Sequence, residues 1–251
     1  MKEVILKVSD DADINAVHRS FLQYFELQHM IGGIQHYGSN IESKKSQFNQ
    51  DLFVLFSLDF KHKGFFVEAG ACDGVYCSNS FLLEKKFQWQ GILVEPVKYF
   101  HNALFMNRSC HIETAAIFNE SGLNLEFSEA GEKDLSTLTE FQSLDNLSSR
   151  RASSETYYVA TISLIDLLKK YNAPRIIDYL SLDTEGSESR ILQSFDFDQY
   201  KFRIITVEHN NATEKQEEIF HLLSKHGYSR VYQGLSNVDD WYLNKNVLKF
   251  D

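Results

Sequence analysis

Apolar and polar positions follow two rhythms along this chain, and the change falls near Gly64. Over residues 13–30, Ile14, Val17, Phe21, Leu22 and Phe25 recur at the spacing of one helix face, with polar residues between them. A polar turn then leads into an apolar stretch over 51–60 that reads as a second helix. Beyond Gly64, residues 65–69, 92–95, 112–118, 179–183, 203–208, 229–232 and 241–243 are short apolar runs of strand length. Helix-like segments, 78–87, 97–107, 163–170, 187–194 and 213–226, lie between many of them. Short apolar strands alternating with helices imply a largely parallel sheet covered on both faces. The last two strands are joined by residues 233–240 alone, too few for a crossover, so they are expected to pair antiparallel. The architecture predicted is α/β: a doubly wound, Rossmann-like sheet with an antiparallel last strand over 61–251, after an N-terminal helical extension over 1–60.

Residues 128–156, SEAGEKDLSTLTEFQSLDNLSSRRASSET, break the rhythm, being polar, weakly periodic and serine-rich in their second half. A structureless stretch this long is uncommon inside a compact domain. A substrate lid and plain disorder are both open for it.

Composition narrows the classes. The formal charge is −10, from 25 basic and 35 acidic side chains, which opposes a nucleic-acid partner, because phosphate backbones are held by clustered Lys and Arg. The pairs Lys44-Lys45, Lys85-Lys86 and Arg150-Arg151 are short and read as solvated faces. Cys72, Cys77 and Cys110 are odd in number and lack metal-pair spacing, so reduced thiols in a cytoplasmic protein are expected. The first residues turn charged too soon for a signal peptide, and no apolar run is long enough to span a bilayer, so no membrane partner is expected.

The candidate chemistry begins at residues 65–74, FFVEAGACDG, where an apolar strand runs into Glu68, Gly70, Asp73 and Gly74. Ligands of open α/β sheets bind beyond the carboxyl ends of the strands, and this turn lies there. The glycine spacing is not the G-x-G-x-x-G of dinucleotide sites. Two carboxylates would repel a pyrophosphate, yet they suit a ligand with an ammonium and a sulfonium, which is S-adenosylmethionine. Glu95, at the end of the second strand, is placed to accept the ribose hydroxyls. The plainer alternative is a tight strand–helix turn with capping acids.

Five blocks in order now resemble one family, the FkbM-type methyltransferases: SQFNQDLFVL (46–55), GFFVEAGACDGVYCSNSFLLEK (64–85), WQGILVEP (89–96), IDYLSLDTEGSESRIL (177–192) and ITVEHN (205–210). Glu68 stands where that family usually has aspartate, and Cys72 at its small or polar position. The resemblance implies a class I methyltransferase fold and methyl transfer, usually to a hydroxyl of a sugar or small natural product. The cofactor-binding candidates are Glu68, Gly70, Ala71, Asp73, Gly74, Ser78, Glu95, Pro96, Ala115 and Asp183. The resemblance also brings the 46–51 block to the cofactor edge, making Gln47 and Asp51 further candidates.

Asp183 ends the fourth strand, with Glu185 in the following turn and Glu188 opening a helix; Glu208 and His209 end the fifth. Helix capping explains Glu188 as well as function does. Carboxylates gathered at one edge are costly unless something cationic compensates. A hydroxyl acceptor needs a base or a metal to lose its proton. The catalytic candidates are Asp183, Glu185 and His209. The metal candidates are Asp183, Glu208 and His209, whose oxygen and imidazole donors suit Mg or Mn. An N-methyltransferase of nucleic-acid bases, a non-catalytic binding module and a nicotinamide oxidoreductase remain as rivals.

Overall fold

In the computed structural model, which describes residues 45–143, 147–151, 154–233 and 235–248, the chain begins with α1 (Gln50–Ser57), β1 (Phe65–Ala69), α2 (Phe81–Phe87) and β2 (Gln90–Val94). The helix expected over 13–30 lies outside the described residues. Next come α3 (His101–Asn107), β3 (His111–Glu113), β4 (Ala116–Phe118), β5 (Asn124–Ala130) and β6 (Thr137–Leu138). After β7 (Ser154–Ser163) follow α4 (Leu164–Lys170), β8 (Ile176–Leu182), α5 (Glu188–Gln193) and β9 (Lys201–Glu208). The last described elements are α6 (Thr213–Lys225), β10 (Tyr228–Val231) and β11 (Asp239–Asn244).

Seven strands form the main sheet in the order β10-β11-β9-β8-β1-β2-β3. The pairs β1–β2, β1–β8, β2–β3 and β8–β9 are parallel, whereas β11 runs antiparallel to both β9 and β10. This is the doubly wound sheet with a reversed last strand that the apolar runs predict. Side chains alternate between faces along each strand. On one face Val67, Ala69, Leu180, Leu182, Ile205 and Val207 pack with leucines and isoleucines of α4, α5 and α6 in a buried core. On the other, Phe53 of α1 stacks on Trp241 with ring centroids 4.5 Å apart. Helix α1, which the sequence reading places in the 1–60 extension, is thus part of the sheet's cover. Cys72, Cys77 and Cys110 are free cysteines.

Two features depart from expectation. The run read as one strand over 112–118 is two, because the Glu113 carboxylate accepts the amides of Thr114 and Ala115, each at 3.1 Å, and turns the chain. It therefore leaves the main sheet after β3 and enters a second sheet as β4. That sheet, ordered β4-β7-β5-β6, takes up both ends of the 128–156 stretch that reads as a lid or a disordered loop, and residues 137–138 within it. Strands β5 and β7 pair from Asn124↔Ala160 to Ala130↔Ser154. Its apolar side chains, Phe127, Leu138, Phe141 and Val159, bury themselves with Val97, Ala116 and Phe118. The partners are distant in sequence, so local periodicity does not reveal them.

A laddered ribbon over a buried cluster protects its amides from exchange. Hydrogen exchange on the free protein should therefore find the amides of Leu125, Phe127, Tyr157 and Val159 slowed as strongly as those of β1. Rapid exchange throughout 124–130 and 154–163 would restore the disordered-loop reading.

Candidate active site

Strand alternation sets two polar rows on one face of the main sheet, at the carboxyl ends of its parallel strands. In the inner row Glu68 pairs with Ser181, Ser181 with Thr206, and Thr206 with Trp241. Two residues further along, the outer row reads Gly70, Asp183, Glu208 and Asp239, with Glu208 paired to Asp239. A cleft of about 360 Å³ opens over these rows, within the range of small-molecule sites. Gln47, Phe48 and Gln50 line it on one side; Lys133, Leu135 and Leu138 of the second-sheet region line it on the other.

The glycine turn is built for close approach. Gly70 has φ +84°, and a Cβ there would lie 1.9 Å from the carbonyl oxygen of Asp183. Gly74, at φ +79°, would meet Cγ of Arg108 at 2.6 Å. The two acids of the turn are committed to it. Glu68 accepts from Ser78 Oγ at 3.0 Å, from the Asn79 amide at 2.7 Å and from Ser80 Oγ. Asp73 accepts the amides of Val75 at 2.8 Å and Tyr76 at 2.7 Å, the local capping role foreseen as its plainer reading. Behind them lies Arg108, a residue the sequence did not single out. Its buried guanidinium donates to the Gly74 carbonyl at 3.0 Å and to Glu84 at 2.7 Å. Burial raises the Glu84 pKa, but the Arg108 charge more than offsets this and holds it at about 2.

Of the ten cofactor candidates, Glu68, Gly70, Glu95, Pro96 and Asp183 line the cleft. Ala71, Asp73, Gly74, Ser78 and Ala115 stand behind or beside the lining, where they shape the turn and the strand end. Glu95 accepts the amides of Cys72 at 2.7 Å and Val97 at 2.8 Å, and burial still pushes it up to about 7. Its oxygens retain lone pairs on the cleft side for hydroxyl donors. Gln47 lines the cleft, while Asp51 is buried and accepts from Ser46 Oγ.

The acids of the fourth and fifth main strands separate by role. Asp183 and Glu208 both line the cleft, and both are raised well above the carboxylate range. Burial is the chief cause for each; repulsion by Glu185 and Asp239 adds to it at Asp183, and repulsion by Asp183 adds to it at Glu208. Carboxylate oxygens of the two lie within 4.8 Å of each other, so ionising one opposes ionising the other. Asp239, next along the row, accepts from Gln50 Nε2 at 2.7 Å and is raised by burial to about 6. Glu185 has its carboxylate paired with Arg151 and its carbonyl accepting from Thr137 Oγ1 at 2.9 Å. It is at the cleft wall but engaged in holding the second-sheet region. Arg151, expected on a solvated face, is fully buried by that pairing.

His209 takes no place among these acids. Its Nδ1 accepts the Asn211 amide at 3.1 Å, its Nε2 faces Gln216 at 3.2 Å, and burial lowers its pKa. The ring turns away from the cleft because the strand alternates: Glu208 points in and the next residue points out. Glu188 stands in its place, with one oxygen each from Asp183, Glu188 and Glu208 within 4.8 Å of one another. Glu188 is fully buried, accepts the Thr184 amide at 2.7 Å, and pairs with Lys215 Nζ at 2.6 Å. Burial raises its pKa, but the Lys215 charge wins and lowers it.

These shifts fix how stability responds to pH. Glu95 and Asp239 bind protons more tightly in the fold than in the unfolded chain, where they titrate near 4.5 and 3.8. Their contribution is complete below those values and is lost as pH rises through about 6 and about 7. The melting temperature of the free protein should therefore fall between pH 5 and pH 8. Glu208→Gln, which removes the like charge beside Asp183, should raise it at pH 8 by about 2–4 °C, the equivalent of ~1 kcal/mol in a chain of this size. A melting temperature that climbs over that interval would contradict the raised pKa values of Glu95 and Asp239.

Among solved structures, the chain is similar to an FkbM methyltransferase from Methylobacillus flagellatus KT, at 10% identity and TM-score 0.43, covering 86% of this chain and 59% of that one. It is also similar to a precorrin-6y C5,15-methyltransferase from Geobacter metallireducens GS-15, at 11% identity and TM-score 0.40, covering 81% and 93%. The METTL16 MTase domain is similar at 14% identity and TM-score 0.42, covering 78% of this chain and 65% of that one. No curated protein matches the sequence. Residues 68–230, which hold the glycine turn, Glu95, Asp183 and Glu208, match the family described as the Methyltransferase FkbM domain, and the chain belongs to that family.

Proposed function

We propose that this protein transfers a methyl group from S-adenosylmethionine to a hydroxyl of a sugar or other small polar molecule, with the Asp183–Glu208 pair as the proton acceptor. S-adenosylmethionine is the donor that the family implies, and it supplies an electrophilic methyl on a sulfonium. The cleft fits it: Gly70 lets the Asp183 backbone close against the strand end, Glu95 offers a carboxylate to hydroxyl donors, and Val97, Ile117 and Leu138 supply apolar wall.

The observation that carries the reading is the raised pKa of two cleft carboxyls on neighbouring strands. An ordinary carboxylate is too weak a base for an alcohol; one pushed upwards by burial and a like charge is better matched to the task. Positioning supplies much of the remaining rate, because displacement at a methyl needs acceptor oxygen, carbon and sulfur in line. The acceptor side supports a neutral molecule. Among the described residues, the cleft wall carries Glu68, Glu95, Asp134, Asp183, Glu185 and Glu208 against Lys133 and Arg150, an excess that disfavours phosphate-rich acceptors such as nucleic acid. No described helix is long and apolar enough to cross a membrane.

A second reading follows from the cluster of Asp183, Glu188 and Glu208, which are close enough to hold Mg or Mn. Against it stands Lys215, already seated on Glu188 at 2.6 Å.

With labelled donor and a panel of sugars, phenols and oligonucleotides, methylation is expected on a hydroxyl, identified by NMR of the product. Asp183→Asn and Glu208→Gln should each lower kcat by roughly 10²–10⁴, the usual worth of a general base, with binding of S-adenosylhomocysteine little changed. Wild-type kcat in both variants would remove the base. Turnover lost to chelator and restored by Mg or Mn would select the metal instead.

A further inference from the structure

Asn79 lies on the floor of the cleft and is 8% exposed. Its backbone amide donates to Glu68 Oε1 at 2.7 Å, and its side-chain Nδ2 donates to Ser181 Oγ at 2.9 Å. Glu68 and Ser181 are register partners on β1 and β8, so the carboxamide spans the inner polar row just beneath Gly70 and Asp183. Its Oδ1 is buried and has no hydrogen-bond partner. A buried carbonyl oxygen without a donor is costly, and such atoms in native folds are normally met by a ligand or a water. Here the orphan acceptor belongs to a side chain lining the cleft at the glycine turn.

The surroundings say what kind of donor suits it. The nearest charged groups in the row are carboxyls, Glu68 and Asp183, and Glu68 keeps only a distant guanidinium partner, Arg108 Nη1 at 3.9 Å. A cation bearing N–H groups gains from both the orphan oxygen and this acidic field. Glu95, the group suited to ribose hydroxyls, lies at the end of β2, on the other side of β1 from Ser181. Asn79 is therefore at the end of the cleft away from the nucleoside.

We propose that Asn79 recognises the α-ammonium of the methyl donor, with Oδ1 accepting one of its N–H groups. This rests on S-adenosylmethionine being the donor. It makes Asn79 a binding residue that discriminates the amino-acid end of the cofactor, a role the sequence motifs did not assign.

The test is a double-mutant cycle by calorimetry, pairing wild type and Asn79→Ala with S-adenosylhomocysteine and with its analogue in which hydrogen replaces the amino group. In wild type, loss of the amino group should weaken binding roughly 10- to 100-fold, the range for a hydrogen bond to a charged group. In Asn79→Ala the two ligands should bind almost equally. Asn79→Asp, which keeps an acceptor at this position, should still prefer the amino ligand. 5′-Methylthioadenosine, which lacks the whole amino-acid end, should bind wild type and Asn79→Ala alike and so shows that the variant is folded. If Asn79→Ala does not fold, Asn79→Asp carries the test, and its loss of preference for the amino ligand overturns the proposal. Additive losses in the cycle overturn the role of Asn79 alone. Failure of wild type to bind either nucleoside overturns the cofactor reading as well.

Discussion

Three carboxylates in one register row, Asp183, Glu208 and Asp239, set the terms for the rest of the cleft. Neighbouring strands are about 4.8 Å apart, so these groups cannot all ionise beside one another away from water. The fold meets the conflict in three ways. Asp183 and Glu208 have their pKa values pushed well up, Gln50 donates to Asp239, and Lys215 neutralises Glu188 just beyond the row. The fourth place in the row belongs to Gly70, where a side chain would collide with the Asp183 backbone. These compensations leave a buried acidic edge that faces the open cleft.

The turn that creates this space is supported from behind. Glu68 and Asp73 do not offer their charges freely to a ligand, because Glu68 gathers three donors and Asp73 gathers two amides. Their first effect is to hold the turn in the left-handed backbone geometry that Gly70 and Gly74 allow. Arg108 unites the turn with Glu84 of α2 from its place at the end of α3, stacked between the rings of Phe66 and Phe81. Neither acid is thus free to repel a pyrophosphate, and what favours S-adenosylmethionine as donor is family membership, Glu95 and the acidic outer row.

The second sheet makes the cleft deep. Its ribbon packs through Phe127, Leu138 and Phe141, and Arg151 and Thr137 fasten it to Glu185 in the loop that follows Asp183. Gly186 permits this approach, since a Cβ there would stand 2.8 Å from Cβ of Phe141. A buried Arg–Glu pair is costly to desolvate, and removing one partner strands the other charge. The pair thus ties the geometry of the acidic edge of the cleft to the folding of the ribbon above it.

The sequence by itself determined the main sheet, its reversed last strand, the glycine turn and the acids that end β1, β2, β8 and β9. Those features are local: apolar runs of strand length, turn residues at strand ends, and a connection too short for a crossover. Tertiary structure decided the rest. Whether Glu208 or His209 faces the cleft depends on the register of β9 against β8, which a run of apolar residues does not display. Arg108, Arg151, Lys215 and Asn79 acquire their roles from partners 24 to 34 residues away or more, and across the sheet. The ribbon over 124–163 is too polar along much of its length to announce itself, because its apolar positions find their cover only when β4 and residue 97 are brought beneath them. Charge compensation and burial are properties of what meets in space, and composition fixes only what is available to meet.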